Sequence, residues 1–128
     1  MKKQKKILVV DDNVGMIKLL EALLTQRGYQ VHIAQGGEEA IKLFRTTSPD
    51  LILLDLKMPD LPGDITALRI QSQNESQPVP IIALTAYDDA LAQATTRSIG
   101  FVDHIVKPFD ADDLCARIEK ALAASPLS

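Results

Sequence analysis

Short apolar runs alternate along the chain with longer stretches in which apolar residues recur at helical spacing. The clearest apolar run, 51–54, leads directly into Asp55 and is followed by a turn around Pro59. A short apolar run closed by turn residues predicts a strand that is buried on both faces. Four further strands are predicted at 6–10, 29–34, 79–84 and 101–106. In the strand at 29–34, apolar and polar residues alternate more loosely, so this strand is expected at an edge of the sheet.

The stretches between these runs predict helices. Asn13 is a suitable N-cap for the first helix, which is expected to extend to Gly28. The second to fifth helices are predicted at 38–45, 63 to about 73, 88–99 and 110–123. In the third of the five helices, at 63 to about 73, Ile65 and Leu68 are the apolar residues expected to face the core.

Strict alternation of strands and helices with short joints indicates a parallel sheet, because right-handed crossovers place helices on both of its faces. The sequence therefore predicts a three-layer α/β fold. Its sheet is expected to have five parallel strands in the flavodoxin-like order 2-1-3-4-5, with five helices. A length of 128 residues suits a single domain, 1–128, with its core at about 5–123.

Composition and charge exclude several classes of protein. The net charge of −3 argues against a nucleic-acid-binding surface over the whole domain. The apolar run after the amino-terminal lysines is only 7–10, too short for a signal peptide or a membrane span. Cys115 is the single cysteine, so an intrachain disulfide is excluded and a cytoplasmic location is expected. The sequence is compatible with a stand-alone protein or with a fragment of a longer one.

Polar side chains follow four of the predicted strands. Asp11 and Asp12 follow the first strand, Asp55 the third, Thr85 the fourth and Lys107 the fifth. Because the carboxyl ends of parallel strands share one edge of the sheet, these side chains are expected to meet in one crevice. Three carboxylates at close range repel one another, and a lysine and a divalent cation would neutralise them. Oxygen ligands in a small site favour Mg²⁺, and a carboxylate beside Mg²⁺, lysine and a hydroxyl can accept a phosphoryl group.

Each of these residues also has an ordinary structural interpretation. Asp11 and Asp12 could cap the first helix, Lys107 could be a solvated surface lysine, and Thr85 could simply end a strand. The metal-site interpretation is favoured because all of them occur together on the expected strand ends.

The segments Asp11-Asp12, Asp55-Leu-Lys-Met-Pro, Thr85-Ala86 and Lys107-Pro108-Phe109 resemble the receiver domain of two-component response regulators. The resemblance covers roughly 5–123, in order and with similar spacing. It implies that Asp55 is the phosphoacceptor and that Lys107 pairs with the phosphoryl oxygens. It also implies a cis peptide bond between Lys107 and Pro108. Finally, it implies a Mg²⁺ ion that Asp12 binds directly and Asp11 binds partly through water, with Asp55 and the backbone carbonyl of Lys57 as the other protein ligands.

The same resemblance assigns residues to switching and to phosphate lifetime. Thr85 is expected to move onto the phosphoryl group, and Lys57, Ala86 and Tyr87 are expected to flank it. The family usually has Tyr or Phe three residues before the lysine, where this chain has His104. We hypothesise that His104 acts as the switch ring with weaker coupling to Thr85; the alternative is that it stays outward on a docking surface. His32 carries no motif and is expected at the surface.

The resemblance also implies partners: a histidine kinase or a histidine phosphotransfer domain as phosphoryl donor, and an unknown output partner. The output face would consist of the helix from Asp88, the fifth strand and the last helix. Asp103, Asp113 and Arg117 partly match a charged pattern through which winged-helix transcription factors dimerise, although Gln93 replaces an expected basic residue. A phosphorylation-promoted homodimer is therefore a hypothesis; membrane association and direct nucleic-acid binding are not expected.

Three other functions fit the sequence less well than a phosphoryl-accepting switch. An interaction module working without phosphorylation is disfavoured, because such modules usually lose one residue of the Asp, Thr and Lys set. An Asp-nucleophile hydrolase of the haloacid dehalogenase type requires an acid two residues after the nucleophile, where this chain has Lys57. A flavin domain would have its phosphate repelled by the acidic crevice. The expected protein is thus a switch that catalyses only its own phosphorylation and dephosphorylation, rather than an enzyme.

Overall fold

Five parallel strands form one sheet at the centre of the computed structural model, which describes residues 4–73, 78–86 and 100–124. The order is β2-β1-β3-β4-β5, and every neighbouring pair is parallel. The predicted sheet and its strand order are therefore confirmed. The strands are β1 Lys6–Val10, β2 Gln30–Ala34, β3 Leu51–Asp55, β4 Ile81–Thr85 and β5 Asp103–Val106.

Four helices lie in the described part of the chain: α1 Val14–Gln26, α2 Gly37–Thr47, α3 Gly63–Ser72 and α4 Ala111–Ala124. Asn13 is the N-cap of α1, as predicted, and its Oδ1 accepts a hydrogen bond from the Met16 backbone N–H at 2.8 Å. The helix predicted at 88–99 lies outside the described residues. None of the described helices combines the length and hydrophobicity that a membrane crossing requires.

Hydrophobic cores cover both faces of the sheet, and alternate residues of β1 contribute to each. Leu8 and Val10 belong to the core beneath α2 and α3, whereas Ile7 and Val9 belong to the core beneath α1 and α4. β3, the central strand, is buried along its whole length. This three-layer arrangement leaves the carboxyl ends of the central strands as the place where polar groups can gather.

The predicted inward face of α3 was wrong. Ile65 and Leu68 are 37% and 50% exposed, while the buried residues of α3 are Gly63, Thr66, Ala67 and Ile70. The physical reason is close approach: a Cβ placed on Gly63 would lie 2.5 Å from the carbonyl oxygen of Asp55. Gly63, Thr66 and Ala67 are small enough for this close approach and form the inward face together with Ile70, so hydrophobicity alone did not identify that face.

His32 also differs from expectation. It lies on edge strand β2 but is half-buried. Its Nε2 is buried and has no hydrogen-bond partner among the described residues. The His32 side chain is thus partly enclosed, with its Nε2 shielded from solvent, rather than fully exposed at the surface.

Candidate functional site

Four strand ends bring the predicted site residues to one edge of the sheet. Asp11 and Asp12 directly follow β1, Asp55 and Thr85 are the last residues of β3 and β4, and Lys107 directly follows β5. Asp11, Asp55 and Thr85 are 0%, 8% and 7% exposed, whereas Asp12 is exposed to solvent. The site therefore has a buried floor and an open acidic rim.

Three carboxylates converge at this edge. One oxygen from each of Asp11, Asp12 and Asp55 lies within 4.8 Å of the other two. Carboxylate oxygens are the ligands that hard divalent cations prefer, and three in this arrangement leave room for water ligands as well. The residues present could therefore hold a divalent cation.

Lys107 supplies a positive charge to the same cluster. Its Nζ donates to Asp11 Oδ2 at 2.8 Å and lies 3.7 Å from Asp55 Oδ2. Its backbone N–H donates to the Thr85 carbonyl oxygen at 2.7 Å, and the bond to Pro108 is cis, as the resemblance implied. One ammonium faces three carboxylates, so the cluster keeps an excess of negative charge.

The second oxygens of the two buried carboxylates are bound by backbone amides. Asp11 Oδ1 accepts from the Asn13 N–H at 2.9 Å, and Asp55 Oδ1 accepts from the Lys57 N–H at 3.0 Å. Each carboxylate is thus fixed through one oxygen and presents the other to the crevice. Asn13, not Asp11 or Asp12, caps α1, so the ordinary helix-cap interpretation of the acidic pair fails.

Burial raises the pKa of Asp55, and the negative charges of Asp11 and Asp12 act in the same direction. The Lys57 N–H and the Lys107 ammonium lower that pKa, but the balance is upward. An acidic group made costly to ionise by burial and like charge is typical of functional sites. The same balance favours any ligand that adds positive charge next to Asp55.

The remaining predicted site residues lie around this centre. The Lys57 side chain and Ala86 are exposed, and Tyr87 lies outside the described residues. His104 lies on β5 and is half-buried. In the pairing of β4 with β5 it is opposite Ala83, two residues before Thr85. The structure thus places His104 on the strand next to Thr85.

A second charged cluster joins β5 to α4. Arg117 Nη1 donates to both oxygens of Asp103, at 2.8 and 2.9 Å, and Arg117 Nε donates to Asp113 Oδ2 at 2.9 Å. The three residues singled out for dimerisation therefore bind one another within the chain. Gln93 lies outside the described residues.

Asp60, which follows the turn residue Pro59, has a structural role that the sequence did not predict. In the structure its carboxylate accepts hydrogen bonds from the backbone N–H groups of Gly37 and Glu38, at 3.1 and 3.2 Å, and so caps α2 from a distant loop. A long-range cap of this kind has no local sequence signal. The nearest clue was that Gly36, at the start of α2, has no side chain with which to cap.

Comparison with known proteins agrees with this geometry. The family model described as "Response regulator receiver domain" matches residues 7–119. The chain belongs to this family. Receiver domains are the phosphoacceptor switches of two-component signalling, and the acidic cluster with its lysine lies on the strand ends that the family resemblance indicated.

Similar proteins include longer regulators. This receiver is 42% identical over 121 residues to "Probable transcriptional regulator ycf27" of Cyanidium caldarium, covering 94% of this chain and 47% of that protein. It is 37% identical over 117 residues to "Transcriptional regulatory protein ZraR" of Escherichia coli K12, covering 91% of this chain and 26% of that protein. The chain thus spans about half the length of the first and about a quarter of the second.

A solved structure of similar size has the same fold. The CheY-like response regulator receiver domain protein from Methanospirillum hungatei JF-1 superposes with a TM-score of 0.88 at 26% identity. The match covers 94% of this chain and 95% of that chain.

Proposed function

We propose that this receiver accepts a phosphoryl group on Asp55 from a phosphohistidine of a histidine kinase or a histidine phosphotransfer domain. The observation that carries the proposal is the position of Asp55, a carboxylate 8% exposed whose Oδ2 lies 3.7 Å from the Lys107 ammonium. Asp55 Oδ1 is already bound by the Lys57 N–H, so Oδ2 is the oxygen we assign as nucleophile.

In the proposed transfer, Asp55 Oδ2 attacks phosphorus in line with the bond to the donor imidazole. The P–O bond forms as the P–N bond breaks, and the electron pair of the broken bond stays on the imidazole nitrogen. Lys107 then pairs with the phosphoryl oxygens. The proposal is supported by its position, since the ammonium already lies between Asp11 and Asp55.

The proposed cofactor is Mg²⁺, held by Asp11, Asp12, Asp55 and the backbone carbonyl of Lys57. The convergence of three carboxylates within 4.8 Å supports this assignment. When bound, the ion would neutralise negative charge on the transferred oxygens. Asp11 and Asp55 are each anchored through one oxygen by a backbone amide, which orients the other oxygen towards the crevice.

Switching is proposed to follow from Thr85 and His104. Thr85 ends β4 beside Lys107, so a phosphoryl group on Asp55 would bring a hydrogen-bond acceptor to its hydroxyl. Movement of Thr85 would then change the space near His104 on the adjoining strand. A separate role is proposed for Lys57, Ala86 and Tyr87, which would control the access of water to the acyl phosphate. Pro108 follows Lys107 and shapes the turn that presents the ammonium.

The proposed setting is a cytoplasmic two-component system or phosphorelay, with the receiver domain at 1–128 and its core at about 5–123. The names of the relatives support a transcriptional output for a protein that contains this domain. The helix predicted from Asp88, β5 and α4 would form the output face, and a phosphorylation-promoted homodimer is included in the proposal. The domain is proposed to catalyse only its own phosphorylation and dephosphorylation.

The test is incubation with acetyl phosphate and Mg²⁺, followed by intact-mass measurement. We expect a mass increase of one phosphoryl group in the wild type and none in Asp55→Asn or in the presence of EDTA. Asp50→Asn is the matched control, because Asp50 immediately precedes β3 and accepts a backbone hydrogen bond from Lys6, at the opposite end of the same strand. This variant should be labelled like the wild type.

The same samples report on the switch and on assembly. The imidazole resonances of His104 should shift on phosphorylation, and light scattering should show whether the labelled protein dimerises. Failure of folded wild-type protein to be labelled, with Mg²⁺ present, would overturn the phosphoacceptor function and favour an interaction module that works without phosphorylation.

A further inference from the structure

The loop that follows Asp55 is fixed at both its base and its tip. At the base, the Gly63 N–H donates to the Leu56 carbonyl oxygen at 3.1 Å and closes the loop. At the tip, the Asp60 carboxylate accepts from the Gly37 and Glu38 N–H groups at the start of α2. Lys57, which contacts Asp55 through its N–H, lies between these two points.

The contact between the loop tip and α2 has no spare room. A Cβ on Gly36 would lie 2.8 Å from both carboxylate oxygens of Asp60. A Cβ on Gly37 would lie 2.3 Å from Thr66 Oγ1 and 2.7 Å from the Leu61 Cβ. Backbone therefore touches side chain directly at this junction, and the tip cannot shift towards α2 without displacing the helix.

Asp60 is also electrostatically suited to this position. Desolvation opposes its ionisation, but hydrogen bonds from the backbone N–H groups of Glu38 and Gly37 hold the pKa of its carboxyl below the ordinary value. The amino-terminal end of a helix favours negative charge. The tie between loop and helix is therefore made by an ionised carboxylate at neutral pH.

α2 has a second carboxylate at the same end that makes no such tie. Glu39 Oε1 accepts from the Gln35 backbone N–H at 2.8 Å, a local bond between the first turn of α2 and the residue before its N-cap. Asp60 and Glu39 thus both satisfy backbone amides at one helix terminus and carry the same charge. Of these two carboxylates, Asp60 connects that terminus to the segment after Asp55, whereas Glu39 bonds to the residues just before the helix.

We propose that Asp60 is a positioning residue for the phosphoacceptor site: by tying the loop tip to α2, it fixes the Lys57 backbone, whose N–H binds Asp55, and thereby strengthens divalent-cation binding. This inference rests on the proposed function, since the Lys57 carbonyl is one of the proposed Mg²⁺ ligands. The hydrogen bond from the Lys57 N–H to Asp55 is the link through which the tip acts on the site.

The experiment measures the Mg²⁺ dissociation constant by calorimetric titration for wild type, Asp60→Ala, Asp60→Asn and Glu39→Ala. Loss of groups that orient metal ligands typically weakens binding 10–100-fold, and we expect about a 10-fold weakening in Asp60→Ala. Glu39→Ala, which removes the same charge from the same helix end, should bind Mg²⁺ like the wild type. Asp60→Asn, which keeps an acceptor oxygen, should restore most of the affinity.

A purely structural cap would give a different pattern. In that case Asp60→Ala and Glu39→Ala would lower the denaturation midpoint alike and leave Mg²⁺ affinity unchanged, which would overturn the inference. A simple charge effect would make Asp60→Asn as weak as Asp60→Ala, and would also overturn it. If acetyl phosphate phosphorylates the wild type while Asp60→Ala binds Mg²⁺ with wild-type affinity, the positioning role fails and the proposed function stands. A wild type that neither labels nor binds Mg²⁺ would overturn both.

Discussion

Two clusters in this chain combine a basic side chain with aspartates, and they balance charge differently. At the strand ends, Lys107 faces Asp11, Asp12 and Asp55, two of which are buried. Between β5 and α4, by contrast, the Arg117 guanidinium donates to both oxygens of Asp103 and to Asp113 in a partly exposed position. The first cluster has one cation for three carboxylates and the second has one cation for two. The excess negative charge is therefore larger in the first cluster, and there it lies partly on buried groups.

The pKa shifts follow from this difference. Burial, together with the neighbouring carboxylates, raises the pKa of Asp55 and makes its ionised form costly. The hydrogen bonds of Asp113 and Asp103 raise the pKa of Arg117 and so favour its charged form. A buried cluster with the larger excess of negative charge is the better candidate for cation binding, because an added cation relieves it. The Arg117 cluster is closer to neutral and partly exposed, so its main contribution is to the stability of the fold.

Removing the base from the buried cluster should have the largest effect. Lys107→Ala leaves Asp11 buried without its cation, and breaking a buried pair in this way is expected to cost about 3 kcal/mol of unfolding free energy. Urea denaturation in EDTA measures this loss. Addition of Mg²⁺ should recover part of it, because a cation that binds only the folded state stabilises it by mass action.

Lys18→Ala is the control for this substitution, because Lys18 is an exposed lysine of α1. Its free energy of unfolding should stay close to that of the wild type. Equal losses in Lys18→Ala and Lys107→Ala would show that the ammonium at the strand ends is no more than a surface charge.

Strand order and site composition were predictable from the sequence because both depend on local patterns. Apolar runs marked the strands, and a carboxylate or lysine placed directly after such a run was enough to locate Asp55 and Lys107 at one edge of the sheet. What the sequence did not predict depends on distances between segments far apart in the chain. The inward face of α3 is set by its approach to β3 at Gly63, and the role of Asp60 is set by its distance from Gly37.

Neutralising the phosphoacceptor should have an intermediate effect, of opposite sign. The pKa of Asp55 is raised in the folded chain, so its ionised form opposes folding at every pH above that pKa. In the absence of metal, Asp55→Asn is therefore expected to increase the unfolding free energy at pH 7, by about 1 kcal/mol, as for other substitutions that relieve unfavourable charge. The gain should shrink as the pH falls through the folded pKa, and vanish below the unfolded value of about 3.9, because wild-type Asp55 is then neutral as well.

Denaturant titrations of both proteins across this pH range check the sign and the trend. Asp55→Asn should also offset part of the loss in Lys107→Ala, since it removes one of the carboxylates that the lysine neutralised. A destabilised Asp55→Asn at pH 7, or a difference that does not change with pH, would contradict the charge imbalance on which the comparison depends.

Disrupting the Arg117 cluster should have the smallest effect. Arg117→Ala removes ion pairs that are partly open to solvent, and exposed pairs of this kind contribute about 0.5 kcal/mol. The difference from wild type, measured by urea denaturation, should decrease further at high salt because these charges are screened. Mg²⁺ binding should be unchanged, since Arg117 lies on α4 and contacts neither Asp11 nor Asp55. A loss as large as that of Lys107→Ala, insensitive to salt, would mean that the two clusters do not differ in the way their charge balance indicates.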